Sequence, residues 1–337
     1  MGQIQSTRGK QQLPFAHQVV LVTGGTSGIG LATAAQFILA GAQTVIVCGR
    51  TPQKWSLAQN YLSQFLSAQQ ISRMIYKQCD VRVESDIQEL LAFAHDTYGH
   101  VDVYFNCAGV QPVNDGDITK MEFQSFVDRD GSILYRIPPP QPRSPPCSLS
   151  QENNCPVCPA SQQTPATLFC ETPLATSAIG IFYCLKWQMH YAFSRQPRDL
   201  PVSIVSISSR NGILPDSHRP IYAASKAFIL SLTRSIAAQA AARVLREKRP
   251  APVRINAISP GPVDTPLERA AFPGSYEHYV QAAIKGVPMG RTAKPEEMAP
   301  IVLFLSNPLW SGYITGTNIP VDGGNTGSPV TGVAITK

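Results

Sequence analysis

The sequence predicts a three-layer α/β/α domain built on a doubly wound parallel sheet. Three observations carry that prediction. Short apolar runs alternate with longer helical stretches along most of the chain, which is the order that winds a parallel sheet with helices on both faces. The first run, Val19-Val20-Leu21-Val22, feeds a glycine-rich turn, Thr23-Gly24-Gly25-Thr26-Ser27-Gly28-Ile29-Gly30, that opens a helix over Leu31–Ala40. Later strand ends carry small or polar residues instead of apolar ones, as at Cys79-Asp80-Val81, Asn106-Cys107-Ala108-Gly109 and Ser208-Ser209. In a sheet of this kind, ligands bind outside the carboxyl ends of the strands.

Composition narrows the class. The chain has 337 residues, 43% of them hydrophobic and 15% charged, enough for a packed core in one large domain. The net charge of +6 comes from scattered Lys and Arg with no basic block, so nucleic acid is not an expected partner. No apolar run reaches the roughly 18 residues of a membrane span, and the first eighteen residues lack the apolar centre of a secretory signal. Eight cysteines in a chain this long do not form a secreted disulfide framework, which points to a reducing, cytoplasmic setting. Residues 1–18 read as a flexible leader. Gly2 and Ser6 fit the N-myristoylation pattern, although one acyl chain holds a membrane only marginally.

The first β-α-β unit covers residues 19–49. Strand, glycine turn and helix together seat a pyrophosphate, because glycines admit close backbone approach and the helix N-terminus offers unpaired N–H groups. Gly24, Thr26, Ser27, Gly28, Ile29 and Gly30 are therefore candidate cofactor contacts. The second strand, Thr44–Cys48, ends at Gly49-Arg50, beside the place of the adenosine ribose. An acid there would repel a 2′-phosphate; Arg50 would pair with one, so NADP(H) is expected over NAD(H). Ser27 stands where a second basic residue would have strengthened that preference.

A helical stretch over 52–72, with Trp55, Leu62, Phe65 and Leu66 apolar, leads to a third strand at Met74–Tyr76. Residues 84–98 read as helix and Val101–Phe105 as the fourth strand. Another helix begins at Lys120–Asp128, and then the pattern breaks. Residues 129–175 hold ten prolines, a density that excludes regular helix. Cys147, Cys155, Cys158 and Cys170 lie there too. Only Cys155 and Cys158 form a close pair, so no metal site is expected. The segment reads as an inserted loop or as retained intron sequence, interrupting one helix that resumes at Thr176–Lys186. The fifth strand is Ile204–Ser209, a long helix runs from Tyr222 to about Arg246, and the sixth strand, Arg254–Ile258, leads to Pro260-Gly261-Pro262-Val263-Asp264-Thr265. Residues 266–290, with Phe272, Tyr276 and Tyr279, read as the cover of a substrate pocket. A helix follows from Pro295, and the last strand lies within Tyr313–Gly324, leaving 326–337 as a tail.

The chemistry centres on Tyr222 and Lys226, four apart on one helix face. A nearby ammonium is expected to lower the phenol's pKa and make it a usable proton carrier at neutral pH. Ser209 can hydrogen-bond a carbonyl oxygen while Tyr222 passes the proton and a nicotinamide supplies the hydride.

The ordered set of glycine turn, Asp80, Asn106-Cys107-Ala108-Gly109, Ser209, Tyr222, Lys226 and Pro260-Gly261 resembles the short-chain dehydrogenase/reductase family over 19–128 and 176–325. The resemblance implies a single Rossmann-type domain. It implies that Asp80 and Val81 meet the adenine, that Asn106, Ala108 and Gly109 lie along the ribose, and that Pro260, Gly261, Val263 and Thr265 face the nicotinamide and diphosphate. It also implies that Lys226 holds the nicotinamide ribose. Cys107 departs from the family's Asn-Asn-Ala-Gly. Ser177 falls where the family often has an Asn whose backbone anchors a relay water. The expected activity interconverts a ketone and a secondary alcohol, with a small-molecule substrate and a homodimer or homotetramer as assembly. The alternative is a non-catalytic NADP(H)-binding protein whose function the interrupted helix has removed.

Overall fold

The computed structural model describes residues 13–110, 174–217, 219–271 and 274–327. Gly2, the helix predicted at 120–128 and all of the Pro-rich segment except Leu174 and Ala175 lie outside the described residues, as does most of the predicted C-terminal tail. Among the described residues seven strands form one parallel sheet in the order β3-β2-β1-β4-β5-β6-β7. They are β1 (Val19–Thr23), β2 (Thr44–Gly49), β3 (Met74–Gln78), β4 (Val103–Asn106), β5 (Val202–Ile207), β6 (Val253–Pro260) and β7 (Asn318–Val321). The reversal of strand order at β1 and β4 is the doubly wound topology read from the sequence.

The sheet is apolar on both faces because helices cover both. Alternate residues of one strand enter opposite layers. Val19 and Leu21 pack into a layer with Ile87, Leu90 and Leu91 of helix α4 (Glu84–Tyr98). Val20 and Val22 pack into the other, with Ala34, Phe37 and Ile38 of α1 (Gly28–Leu39). That second layer also takes Trp55, Ala58 and Leu62 of α2 (Pro52–Leu62). The helical stretch predicted over 52–72 is in fact two helices, α2 and the short α3 (Ala68–Ile71). Ser67 starts the second with a capping box closed by Gln70, and Phe65, in the break, is exposed.

The expected leader is also shorter than residues 1–18. Phe15 is fully buried, sits edge-on to Phe37 at 5.0 Å between ring centres, and donates its N–H to the Ala40 carbonyl. Phe15 is therefore anchored in the fold, inside the span read as leader.

The helix predicted from Thr176 is described from Leu174, two residues inside the segment read as an insertion. It opens as a π-helical stretch, Leu174–Ile179, and continues as α5 (Gly180–Ser194). At Gly180 an added Cβ would lie 2.8 Å from Val81 Cγ2, so only glycine lets α5 lie against the end of β3. Two side-chain ties fix its approach: Lys186 Nζ lies 2.6 Å from a Glu84 carboxylate oxygen, and Trp187 Nε1 donates to the same oxygen at 2.8 Å.

Helix α6 (Pro220–Arg246) starts with proline in its first turn, where no N–H is missed. Its buried residues are Tyr222, Ser225, Lys226, Ile229, Leu230, Thr233, Ala237 and Ala240, spaced by three and four. By length and composition alone this helix could cross a membrane. The buried stripe gives the other account: its C-terminal part feeds the core, and its first two turns carry Tyr222 and Lys226. The segment predicted to cover the pocket forms α7 (Pro266–Ala271) and α8 (Tyr276–Ile284). Pro295–Glu297 is a 3-10 turn leading to α9 (Ala299–Ser306), and α10 (Pro308–Ser311) precedes β7.

Candidate active site

Parallel register brings the functional turns to one edge. Thr23 pairs with Cys48 on one side and Asn106 on the other, and Asn106 pairs with Ser206. The turns after β1, β2, β3, β4, β5 and β6 therefore open into one cleft of about 960 Å³. Every site residue predicted from the sequence lines it except Asn106. Asn106 is fully buried, and its amide exchanges hydrogen bonds of 2.9 and 2.7 Å with the Gln188 amide. That pair locks β4 to α5 and holds Asn106 in the core.

The glycine turn fits a dinucleotide on its own geometry. Gly24 and Gly28 have φ of +66° and +52°, a region that favours glycine. A Cβ on Gly30 would fall 2.3 Å from the Gly24 carbonyl oxygen. Ser27 begins α1 without capping it through its side chain, and the first turn holds no acidic residue. No acidic side chain in the first turn offsets the positive end of the helix dipole, a setting that suits an anion. Thr23 Oγ1 accepts from the N–H groups of Cys107 and Ala108 at 3.1 and 3.3 Å, tying this turn to the one after β4. Thr265 stands beside Gly28, and its hydroxyl accepts the Glu268 N–H at 3.2 Å to start α7.

At the adenosine end, Arg50 is exposed on the cleft rim, and Lys54 of α2 stands on the same wall. Lys54 escaped the sequence reading because it sits in an amphipathic helix, where a lysine is ordinary. Asp80 is gripped by Arg82: Nε lies 2.9 and 3.0 Å from its two oxygens and Nη2 2.6 Å from one. Burial alone would raise the Asp80 carboxyl, but the Arg82 hydrogen bonds outweigh it and the pKa is lowered. The Arg82 N–H donates to the same carboxylate at 3.1 Å, so both Asp80 oxygens are already engaged in the cofactor-free protein.

At the other end, Ser209 closes β5 and caps the short turn Arg210–Gly212 by accepting the Asn211 N–H at 3.2 Å. The Ser209 hydroxyl stands close enough to Tyr222 to act against the upward push on its phenol. Ser208 Oγ donates to the Lys226 carbonyl at 2.8 Å, seating α6 on the end of β5. Lys226 Nζ lies 5.5 Å from the centre of the Tyr222 ring. The electrostatics differ from the sequence expectation. Burial, then Glu268, pushes the Tyr222 phenol up to about 12, against the opposing effects of Ser209, Arg219 and Arg210. Burial pushes Lys226 down to about 8, with Cys107 opposing. Desolvation overrides the ammonium because both groups sit under the same cover. Ser177 is fully buried and comes close to Gly109 alongside Lys226 Nζ. Cys107, in the place of the family's second Asn, is pushed up to about 12 by burial.

The cleft wall beyond Tyr222 was largely invisible in the sequence. Arg210, Asn211, Arg219, Glu268 and Tyr279 line it. Arg210 follows Ser209 directly and Arg219 precedes Tyr222 by three, but adjacency to a motif was the only signal they carried. Arg219 pairs with Asp216 at 3.1 Å, and Asp216 also accepts from Asn211 Nδ2 at 2.6 Å. Among the described residues no cluster of His, Cys, Asp and Glu is arranged to hold a metal ion.

A parallel doubly wound sheet, a pyrophosphate cradle and a strand-end serine beside a Tyr/Lys helix face define a nicotinamide-dependent oxidoreductase class. Comparison with known proteins agrees. Residues 18–130 match the short chain dehydrogenase family, and residues 168–326 match the enoyl-(acyl carrier protein) reductase family. An uncharacterised short-chain type dehydrogenase/reductase of Acanthamoeba polyphaga mimivirus is 39% identical over 94% of this chain and 99% of its own length. The 3-oxoacyl-(acyl-carrier-protein) reductase FabG of Thermotoga maritima is 26% identical over 91% of this chain and 97% of its own. Among solved structures, an actinorhodin polyketide ketoreductase with NADPH superposes with a TM-score of 0.67 at 23% identity, covering 93% of this chain and 98% of that one. The chain belongs to the short-chain dehydrogenase/reductase family. It is an oxidoreductase that acts on CH–OH groups and their carbonyl counterparts and takes a nicotinamide cofactor.

Proposed function

We propose that the chain reduces a ketone to a secondary alcohol with NADPH, using Ser209, Tyr222 and Lys226 as its proton-handling residues. The observation that carries this reading is the convergence of the three side chains, from β5 and the first turns of α6, in the cleft that also holds the glycine turn.

The residues lining that cleft have the chemistry to hold the cofactor. The turn Gly24–Gly30 and Thr265 would hold the diphosphate, Arg50 a 2′-phosphate, Asp80 and Val81 the adenine, and Lys226 the nicotinamide ribose. Pro260, Gly261 and Val263 would face the nicotinamide, and Ala108 and Gly109 would lie along the ribose. Bound there, the cofactor supplies the hydride. Ser209 then holds the substrate oxygen by a hydrogen bond, and Tyr222 Oη delivers a proton to it as the alcohol forms. A phenol near 12 is protonated throughout the neutral range, which suits a proton donor. Lys226, an ammonium below about 8, favours the phenolate left behind by proton transfer. The balance is one carbonyl, one NADPH and one proton giving one alcohol and NADP⁺.

Initial rates of NADPH and NADH oxidation across ketones, β-ketoacyl thioesters and ketoses test the reading. The expected result is turnover of at least one class with NADPH favoured about tenfold or more, a preference that Arg50→Asp reverses by removing a charge-assisted pairing. NADPH binding without turnover of any class, or a preference untouched by Arg50→Asp, contradicts it.

A further inference from the structure

The wall beyond Tyr222 carries two arginines in different circumstances. Arg219 is answered within the protein: its Nε meets the Asp216 carboxylate at 3.1 Å, and Glu268, on the same wall, adds a second negative field. Arg210 is held differently. Its Nη1 donates to the Asn325 side-chain oxygen at 2.6 Å, and Asn325, itself buried, donates onward to the Gly286 carbonyl. Both partners in that chain are neutral. Among the described residues no carboxylate lies within ion-pairing distance of Arg210, although its side chain lines the cleft immediately after Ser209.

A guanidinium has five N–H donors in a planar fork that matches a carboxylate or phosphate edge. Here one nitrogen is pinned by Asn325, which fixes the plane and reduces the ordering cost of using the others. Cofactor binding does not account for the residue, since the diphosphate turn and Arg50 belong to the other end of the cleft. A half-buried cation with only a neutral partner costs desolvation free energy that an anion would repay.

We propose that Arg210 recognises an anionic oxygen group on the substrate, so that the chain acts on carbonyl compounds carrying a carboxylate or phosphate close to the reacting carbon. This rests on the carbonyl-reductase reading above and names the substrate class for that site. Arg210 lines the same cleft as Ser209 and Tyr222, and its charge reaches the Tyr222 phenol, so a substituent beside a carbonyl held by those two residues would come within reach of the guanidinium. Neutral ketones and thioesters leave the guanidinium unanswered.

The test uses the full chain with NADPH and matched substrate pairs that differ only in charge: β-keto acids against their methyl esters, and phosphorylated ketoses against the free sugars. The charged member of a pair is expected to have kcat/KM about tenfold or more above the neutral one, the value of one charge-assisted hydrogen bond. Preference in the acid pair assigns a carboxylate, and preference in the sugar pair a phosphate. Arg210→Gln is expected to bring the ratio close to one; because the ratio is taken within the variant, any change common to both members of a pair, such as one acting through Tyr222, cancels. NADPH binding checks that this variant is folded. Arg210→Lys, which keeps the charge but loses the fork, is expected to fall between. Equal or lower kcat/KM for the charged members in the unaltered chain overturns the proposal, as does an Arg210→Gln chain that keeps the full ratio; the reductase reading survives both results. No turnover of any member of any pair overturns the reductase reading and the substrate assignment with it.

Discussion

The two ends of the cleft are built from different materials. The dinucleotide end, around β1, β2 and β3, is mostly backbone: glycines with positive φ, a helix terminus left open, and turns aligned by strand register. Within each turn its recognition elements lie within a few residues of one another in sequence. The end around Ser209, Tyr222 and Lys226, which we propose handles the proton, is mostly side chains, drawn from the turn after β5, α6, α7, α8 and the turn after β7. There Arg210 meets Asn325 across 115 residues of sequence. Backbone sites are dictated by local residue types, so they show in a linear pattern. Side-chain sites are dictated by tertiary contact, so they do not.

If that distinction holds, a single added methyl group at the backbone end should act more severely than a charge change at the other. Gly30→Ala places a Cβ 2.3 Å from the Gly24 carbonyl oxygen, with no flexible side chain to give way. Calorimetric titration of NADPH is expected to show affinity lower by at least roughly a hundredfold, the turn having been forced open. An affinity within threefold of the parent would show that the turn is not the anchor.

A smaller effect is expected from pH at the side-chain end. Lys226 titrates near 8 and Tyr222 near 12 in the cofactor-free protein, so only the lysine changes charge between pH 6 and 9. It is cationic below 8 and neutral above. The kcat/KM for NADPH, which reports groups of the free enzyme, is therefore expected to be level to about pH 7.5 and to fall up to about tenfold by pH 9, with the fall moved to higher pH in Lys226→Arg. A profile that falls toward acid instead would assign control to another group.

How far the sequence could be read follows the same division. Val19–Gly30 disclosed strand, turn, helix and ligand class together, because each residue there answers a local backbone demand. Tyr222 and Lys226 were visible because one helical turn separates them. Phe15 was misread as leader: its burial depends on Phe37 and on Trp310, nearly 300 positions away. Asn106 was placed at the cofactor, but its partner is Gln188, on a helix the sequence could not pair with β4. The Tyr222 pKa was expected to fall because the lysine was visible and the burial was not. Arg210 carried no pattern at all, since its meaning lies in which residues fail to neutralise it.

The central claim is that cofactor binding and proton delivery reside in separable ends of one cleft. Tyr222→Phe tests it most directly, because it removes a single oxygen from the proton-handling end and leaves the glycine turn untouched. NADPH affinity and ketone-reduction kcat should be measured on the same preparation. The account predicts affinity within about threefold of the parent and kcat reduced about a thousandfold, the scale of a lost general acid. Retained turnover, or loss of binding together with turnover, would contradict it.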